Sequence, residues 1–351
     1  MSGDGAPADA GWQPDDGDGA GPLAGGAAAA SAAPGDAEDA EGELRQLVVG
    51  AGHHGARLDK ALADLVPELS RSYLQQLLAQ GLVRWGDATA SKPSAKVKAG
   101  DRITVEIRPT EQSQAFRPEA MPLDVVYEDD QLLVINKPAG LVVHPAPGNW
   151  SGTLLNGLLA RDTRASLVPR AGIVHRLDKD TSGLMVVARE RATMDALVRM
   201  IAAREVSRQY LAIAMGRWRH ADHRRVDAPI GRDPRNRLRM AVVDLGLNAG
   251  KPARTDIDVL AAGPEASLVR CTLHTGRTHQ IRVHMASLQH PLVADALYGG
   301  VPAAGLSRQA LHAFRLAFAH PVTGVPMEWK APLPADMQAA VEFWGLRYNP
   351  A

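Results

Sequence analysis

From residue 121 to residue 345 the chain is a series of short alternating apolar and polar runs, each stopped by Gly, Pro or Asp. Leu132 to Ile135, Leu184 to Ala188, Tyr210 to Ala214 and Asp256 to Leu260 are examples. A period of two is the signature of strands, because successive side chains point to opposite faces. Few long helical patterns separate these runs, and no fixed-period repeat is present. The expectation for residues 121–351 is therefore an α+β domain on a central, mostly antiparallel sheet.

Residues 45–108 read as a second, smaller α+β module. Leu58, Leu62 and Leu65 recur at i, i+4 and i+7, a helical stripe. Pro67 stops that helix and Ser70 is a candidate N-cap for the next, whose stripe is Leu74, Leu77 and Leu78. Gly81 is a candidate C-cap. Val83-Arg84-Trp85 and Ile103 to Ile107 read as strands, with Lys92, Lys96 and Lys98 between them. Two helices on a small sheet would expose Arg57, Lys60, Arg71 and the lysines as a basic RNA-docking face. Residues 109–120 are a polar, Pro-containing linker.

Residues 1–44 carry ten acids and no Lys or Arg among Gly, Ala and Pro. Such a stretch lacks the apolar surface to offset its ordering entropy and is expected to be disordered. The whole chain has 39 basic and 39 acidic residues, so the remainder holds ten more bases than acids. That body is drawn to polyanions. Arg217, Arg219, Arg224, Arg225, Arg232, Arg235, Arg237 and Arg239 are dense enough to suggest phosphate contact, or a solvated loop. The single cysteine, Cys271, rules out internal disulfides and suits a reducing compartment. No apolar run is long enough to span a bilayer and the N-terminus does not read as a secretory signal, so a cytoplasmic protein without membrane contact is expected.

One segment concentrates polar chemistry: Gly172-Ile173-Val174-His175-Arg176-Leu177-Asp178-Lys179-Asp180-Thr181-Ser182-Gly183-Leu184. It reads as an apolar strand, a polar turn and a second apolar strand. Asp180-Thr181-Ser182-Gly183 is turn chemistry, so Asp180 is expected to be structural. Asp178 falls at the strand end, where a carboxylate can face a cleft. By pattern alone, a surface Asp beside Lys179 is the simpler account.

Five segments change that balance. His175-Arg176-Leu177-Asp178 with Thr181-Ser182-Gly183 resembles the signature of the RluA-type pseudouridine synthases. Asn136-Lys137-Pro138-Ala139-Gly140-Leu141, Val206-Ser207-Arg208-Gln209-Tyr210, Gly250 to Thr255 and Thr275 to His284 resemble further segments of that family, in order, across about 225 residues. Arg57-Leu58-Asp59-Lys60, Leu69 to Ser72, Gly81-Leu82-Val83 and Lys98 to Ile103 resemble an S4 RNA-binding domain. Three positions depart from the patterns. Trp85-Gly86-Asp87 stands where Asn-Gly is usual, Arg208 where Lys is common, and Ala294 where Gly is usual.

The resemblance implies an RNA-modifying isomerase acting on uridine, with Asp178 as nucleophile. It implies Tyr210 stacked on the flipped base, and Arg282 as the cation that keeps Asp178 ionised. Arg176 would fill the vacated stack or hold a phosphate, and Arg208 would serve RNA binding. Neither cofactor nor metal is implied. An S4-bearing member of this family implies large-subunit ribosomal RNA as partner, with transfer RNA the other substrate and a non-catalytic ribosome-assembly factor the non-enzymatic reading. A monomer is the default expectation. Arg282 reads as helical, with Ile281, Met285 and Leu288 on one face and His279 beside Arg282 on another. His279, His284 and His290 match no compact metal-ligand spacing. The single, interrupted Asp-Thr-Ser-Gly does not supply the two carboxylates of an aspartic protease.

Overall fold

The computed structural model describes residues 43–107 and 115–348. They form two compact units, divided between Ile107 and Ala115. The tail expected over residues 1–44 lies outside the described residues except for Glu43 and Leu44, which already begin a strand.

The smaller unit runs β1 (Glu43–Val48), α1 (Leu58–Leu65), α2 (Arg71–Ala79), β2 (Val83–Trp85), β3 (Ala88–Thr89) and β4 (Arg102–Ile107). Its strands order β1-β4-β2-β3, and both helix stripes pack on that sheet with Val83, Val97, Ile103 and Val105. Ser70 caps α2 by accepting from the Tyr73 N–H at 3.2 Å. Gly86 and Asp87 close the β2–β3 hairpin, pairing Trp85 with Ala88. Gly86 has φ 60° whereas Asp87 is not left-handed. That is the pattern of a type II′ turn, which wants Gly first, so the missing Asn-Gly changes the turn type and keeps the two-residue hairpin.

The larger unit contains β5 (Val125–Glu128), β6 (Leu132–Lys137), α3 (Leu154–Arg161), β7 (Ser182–Ala188), α4 (Arg191–Ala202), β8 (Ser207–Met215), β9 (His223–Asp227), β10 (Ile230–Asp233), β11 (Asn236–Val242), β12 (Arg254–Ala262), β13 (Ala266–Leu273), α5 (Gln280–Ser287), β14 (Leu311–Ala319), β15 (Pro326–Lys330) and α6 (Ala335–Phe343). The main sheet is ordered β5-β6-β7-β14-β8-β13-β12-β9, with β15 on the second half of β14; β10 and β11 form a separate hairpin. Every pairing is antiparallel except β7 with β14, where Ser182 and Gly183 meet His312 and Ala313. The expected α+β architecture on a mostly antiparallel sheet is what forms.

Both faces of the sheet centre are covered. Met185 and Val187 face a core with Leu154, Leu155 and Leu158 of α3, while Leu184, Val186 and Ala188 face one with Met194 and Leu197 of α4. A strand buried on both faces reads as a continuous apolar run, as Gly183 to Ala188 does. The second half of the expected 109–120 linker is not a free connector. Ala115 is buried, and Asn156 Nδ2 donates to the carbonyls of Ala115 and Arg117 at 3.2 and 2.8 Å. Residues 115–120 therefore belong to the larger unit's packing.

Candidate active site

The first half of the His175–Asp178 segment is not a strand. Ile173 makes one isolated bridge to Val187, and residues 174–178 are irregular. The preceding Arg170 and Ala171 are left-handed, with φ 54° and 52°, which turns the chain out of the sheet direction. His175 then replaces a strand contact: its Nε2 accepts from the Val186 N–H at 3.1 Å. An accepting Nε2 puts the neutral ring's proton on Nδ1. Burial, with Arg208 nearby, pushes the His175 pKa down to about 3.

The Asp178 carbonyl accepts from the Thr181 N–H at 3.1 Å, so Asp178 opens a tight turn whose tip is Lys179-Asp180. Two cations outside the motif brace that turn. Lys137, 1% exposed, spends its three N–H donors on the carbonyls of Pro138, Leu141 and Lys179, at 2.8, 2.9 and 2.9 Å. Burial lowers its pKa to about 8, against the opposing pull of Asp178 and Asp180. Arg308 Nη1 donates to the Asp180 carbonyl at 2.9 Å, while the same guanidinium pairs with Asp336 of α6. Asp180 thus contributes backbone to the turn, as its sequence context indicates.

Asp178 borders a cavity of about 370 Å³ whose walls include Val142, Arg176, Leu238, His279, Arg282 and Leu297. Arg282 Nη1 reaches Asp178 Oδ2 at 3.1 Å, and His279 Nε2 lies 3.9 Å from Asp178 Oδ1. Burial would raise the carboxyl pKa; His279, Arg282 and Arg176 together outweigh it and hold Asp178 below the usual carboxylate range. The cation is itself anchored. Arg282 Nε and Nη2 form a two-pronged contact with Asp295, both arms at 2.8 Å, and the Asp295 side chain is fully buried. Burial works against the guanidinium's charge, but the bonds to Asp295 and Asp178 raise its pKa overall.

A second arm runs alongside. Tyr298 stacks its ring 5.0 Å under the Arg282 guanidinium, takes the Met240 N–H at 3.1 Å, and bonds His279 Nδ1 at 2.8 Å. His279 precedes α5 in a left-handed conformation, φ 56°. Asp295 and Tyr298 sit on one short turn, preceded by Ala294 at φ 60°. That left-handed backbone accounts for the glycine usual at this position in the family.

Tyr210, 5% exposed, lies in the core of β8, close enough for the Asp178 charge to act on it. Burial first, then Asp178, raise its pKa to about 12, against Arg208. It does not border the cavity. Arg176 does, and is exposed. Arg208 departs from expectation. It is 7% exposed, its Nε is buried without a partner, and burial lowers its pKa, so it belongs to the interior and not to a phosphate-facing surface. Arg57, Lys60 and Arg71 are exposed on the smaller unit. There Arg57 Nε and Arg71 Nη2 converge on the buried Asp59, at 3.0 and 2.7 Å.

Sequence reasoning does not single out Asp295, Tyr298, Lys137 or Asp59. A Lys soon after the apolar run Leu132 to Ile135, and an Asp soon after Leu292-Val293, are the signals it offers. The histidines are otherwise engaged: His284 bonds Thr255 Oγ1 and the Ala228 carbonyl, and His290 the Met215 carbonyl. Among the described residues no group of three or more His, Cys, Asp or Glu is placed to hold a metal ion.

Residues 131–287 match the family model of RNA pseudouridylate synthases, and residues 56–103 match that of the S4 domain. Over 295 residues the chain is 51% identical to the ribosomal large subunit pseudouridine synthase D of Neisseria meningitidis serogroup B, covering 81% of this chain and 77% of that one. The Nitrosomonas europaea protein of the same name is 49% identical, over 82% of this chain and 84% of that one. Among solved structures, human RNA pseudouridylate synthase domain containing 1 aligns with a TM-score of 0.50 and 28% identity, over 66% of this chain and 97% of that one.

Proposed function

Because the chain belongs to the RNA pseudouridylate synthase family, we propose that it isomerises uridine to pseudouridine in large-subunit ribosomal RNA, with Asp178 as the reacting carboxylate. The observation that carries this reading is the ionised Asp178 at the cavity wall, paired with an arginine that is itself pinned by Asp295.

Pseudouridine formation breaks the C1′–N1 bond, turns the uracil and rejoins it through C5, with no net gain of atoms and no redox change. A carboxylate must be charged when it adds to C1′ or C6, or when it assists removal of a C2′ proton. Arg282 supports that charge. Once Asp178 becomes neutral or covalently bound, Arg282 still has its fork to Asp295. The reaction therefore does not leave a buried guanidinium unpaired, which would be costly. Arg176, exposed at the cavity edge, is placed to meet the nucleotide as it leaves its stack. The Tyr210 hydroxyl is kept protonated by burial, and the stacking role implied for its ring would need the bound nucleotide to reach past the cavity wall. The S4 unit contributes RNA contact through its basic face, read mostly as backbone and shape. We further infer a monomer working in the cytoplasm.

The test is a purified-protein assay on ribosomal RNA carrying C5-tritiated uridine. Wild type should release tritium, and Asp178→Asn should not. Equal release from both would remove Asp178 from its role; no release from either, with RNA binding intact, would favour a binding factor. Mapping pseudouridines in a deletion strain should show loss in large-subunit ribosomal RNA, and loss confined to transfer RNA would refute the substrate.

A further inference from the structure

The larger unit has a second cavity, of about 410 Å³, that the chemistry above leaves unused. Two loops form it: the one leaving β8, with Arg217, Arg219 and His220, and the one leaving α5, with Gln289 and His290. The loops are clasped reciprocally. His290 Nδ1 bonds the Met215 carbonyl at 2.9 Å, and His220 Nε2 bonds the Leu288 carbonyl at 3.2 Å. Trp218 reinforces the clasp, stacked on His290 at 4.8 Å and edge-on to His220 at 5.3 Å. Gln289 is left-handed, φ 64°, the usual state of the residue that ends a helix, and its N–H and that of His290 close α5 on the Ala286 and Met285 carbonyls.

Against this rigid wall stand two exposed arginines. Neither guanidinium has an ion pair or hydrogen bond among the described residues, and no carboxylate borders the cavity. By contrast, Arg225 and Arg239 of the same basic stretch are paired with Asp256 and Asp233. Unpaired guanidiniums on a fixed, acid-free wall suit phosphate oxygens. Tyr210 and Met215 lie on one strand, five residues apart, which sets the edge of the cleft about 17 Å along β8 from Tyr210.

We propose that this cleft is a second phosphate site, taking the sugar–phosphate backbone of the substrate RNA beyond the nucleotides that fill the active site. The proposal rests on the reading that Asp178 and Tyr210 mark where the uridine reacts. A substrate that reaches both places is held by two anchors; a minimal stem-loop is held by one.

The test compares the full-length wild type with the double variant Arg217→Gln/Arg219→Gln, whose side chains lie on the surface. Direct binding and tritium release are measured on a long structured fragment of large-subunit ribosomal RNA and on a minimal target stem-loop. The variant should bind the long fragment about tenfold more weakly near 0.15 M salt, with a salt slope shallower by about 1 for each phosphate no longer neutralised. Affinity and turnover on the stem-loop should not change. Unchanged affinity for the long fragment overturns the proposal. So does equal loss on both RNAs, which would mean only a general field. Inorganic phosphate binding the wild type below about 1 mM, with long-RNA affinity unaltered in the variant, would mean a small-anion site instead. If the wild type releases no tritium yet the variant loses long-RNA binding selectively, the catalytic reading fails and the cleft stands.

Discussion

Arg282 is the residue on which the site's electrostatics turn. One guanidinium serves two carboxylates of different exposure: Asp295 is sealed in, and Asp178 keeps 20% of its side chain open. The fixed partner sets the geometry and the open one keeps its reactivity. This arrangement governs the pH dependence. Asp178 must be ionised to react, and its pKa is held below the usual range, so kcat/KM should persist as pH falls until well into that depressed range. In Arg282→Gln, burial acts with less opposition and the pKa rises. The acid limb of the kcat/KM profile should therefore move to higher pH, alongside a fall in kcat of about 10²- to 10³-fold. An acid limb unmoved by the substitution would show that Arg282 does not set the Asp178 charge. Stability carries the same sign. A depressed folded pKa gives a contribution present above the unfolded value of about 3.9, lost as pH falls through the folded one.

At the scale of elements, the site depends on the single parallel contact in the sheet. Gly183, the second residue of β7, has φ 118°, and a Cβ there would lie 2.3 Å from the Ala313 carbonyl oxygen of β14. Gly183→Ala should cost at least about 3 kcal/mol of stability, combining backbone strain with a backbone clash. Urea unfolding of the intact protein measures this, and a loss under about 1 kcal/mol would mean the strand pair adapts. The same region shows what sequence conveys. The S4 helices, the Ser70 cap and most strands are legible because period and capping are local. The segment Ile173 to Asp178 reads wrongly as a strand, since its apolar residues are buried by a loop that His175 ties to Val186. Asp178 and Arg282 are brought together by family resemblance, not by periodicity, because 104 residues separate them. Asp295, Tyr298 and Lys137 stay invisible because their partners are set by the folded chain. Arg208, assigned to RNA binding by the resemblance, is buried for a related reason: a charge in a strand gives no sign that both its faces will be covered.

The chain as a whole is electrically neutral, but its charge is unevenly distributed. Residues 1–42 hold nine of the acids and no base, so the rest of the chain carries the net positive charge. RNA affinity should then fall steeply with salt, in proportion to the phosphates neutralised. The acidic stretch is expected to act on that balance through charge, since tethered carboxylates raise the local negative charge near a basic surface. Removing residues 1–42 should tighten RNA binding at about 0.05 M salt. The gain should vanish towards 1 M, where the screening length shrinks to about 3 Å and a tether no longer acts at a distance. Thermal unfolding of both forms checks that the described units, which begin at Glu43, fold equally. Titrating both forms against the same ribosomal RNA fragment across that salt range separates the possibilities. Affinities that coincide at every salt concentration would show that the tail does not compete for the RNA surface. A difference that survives at 1 M would point to a specific contact in place of a screened field. The expected outcome is convergence, because tether and RNA then compete for the basic body through charge alone.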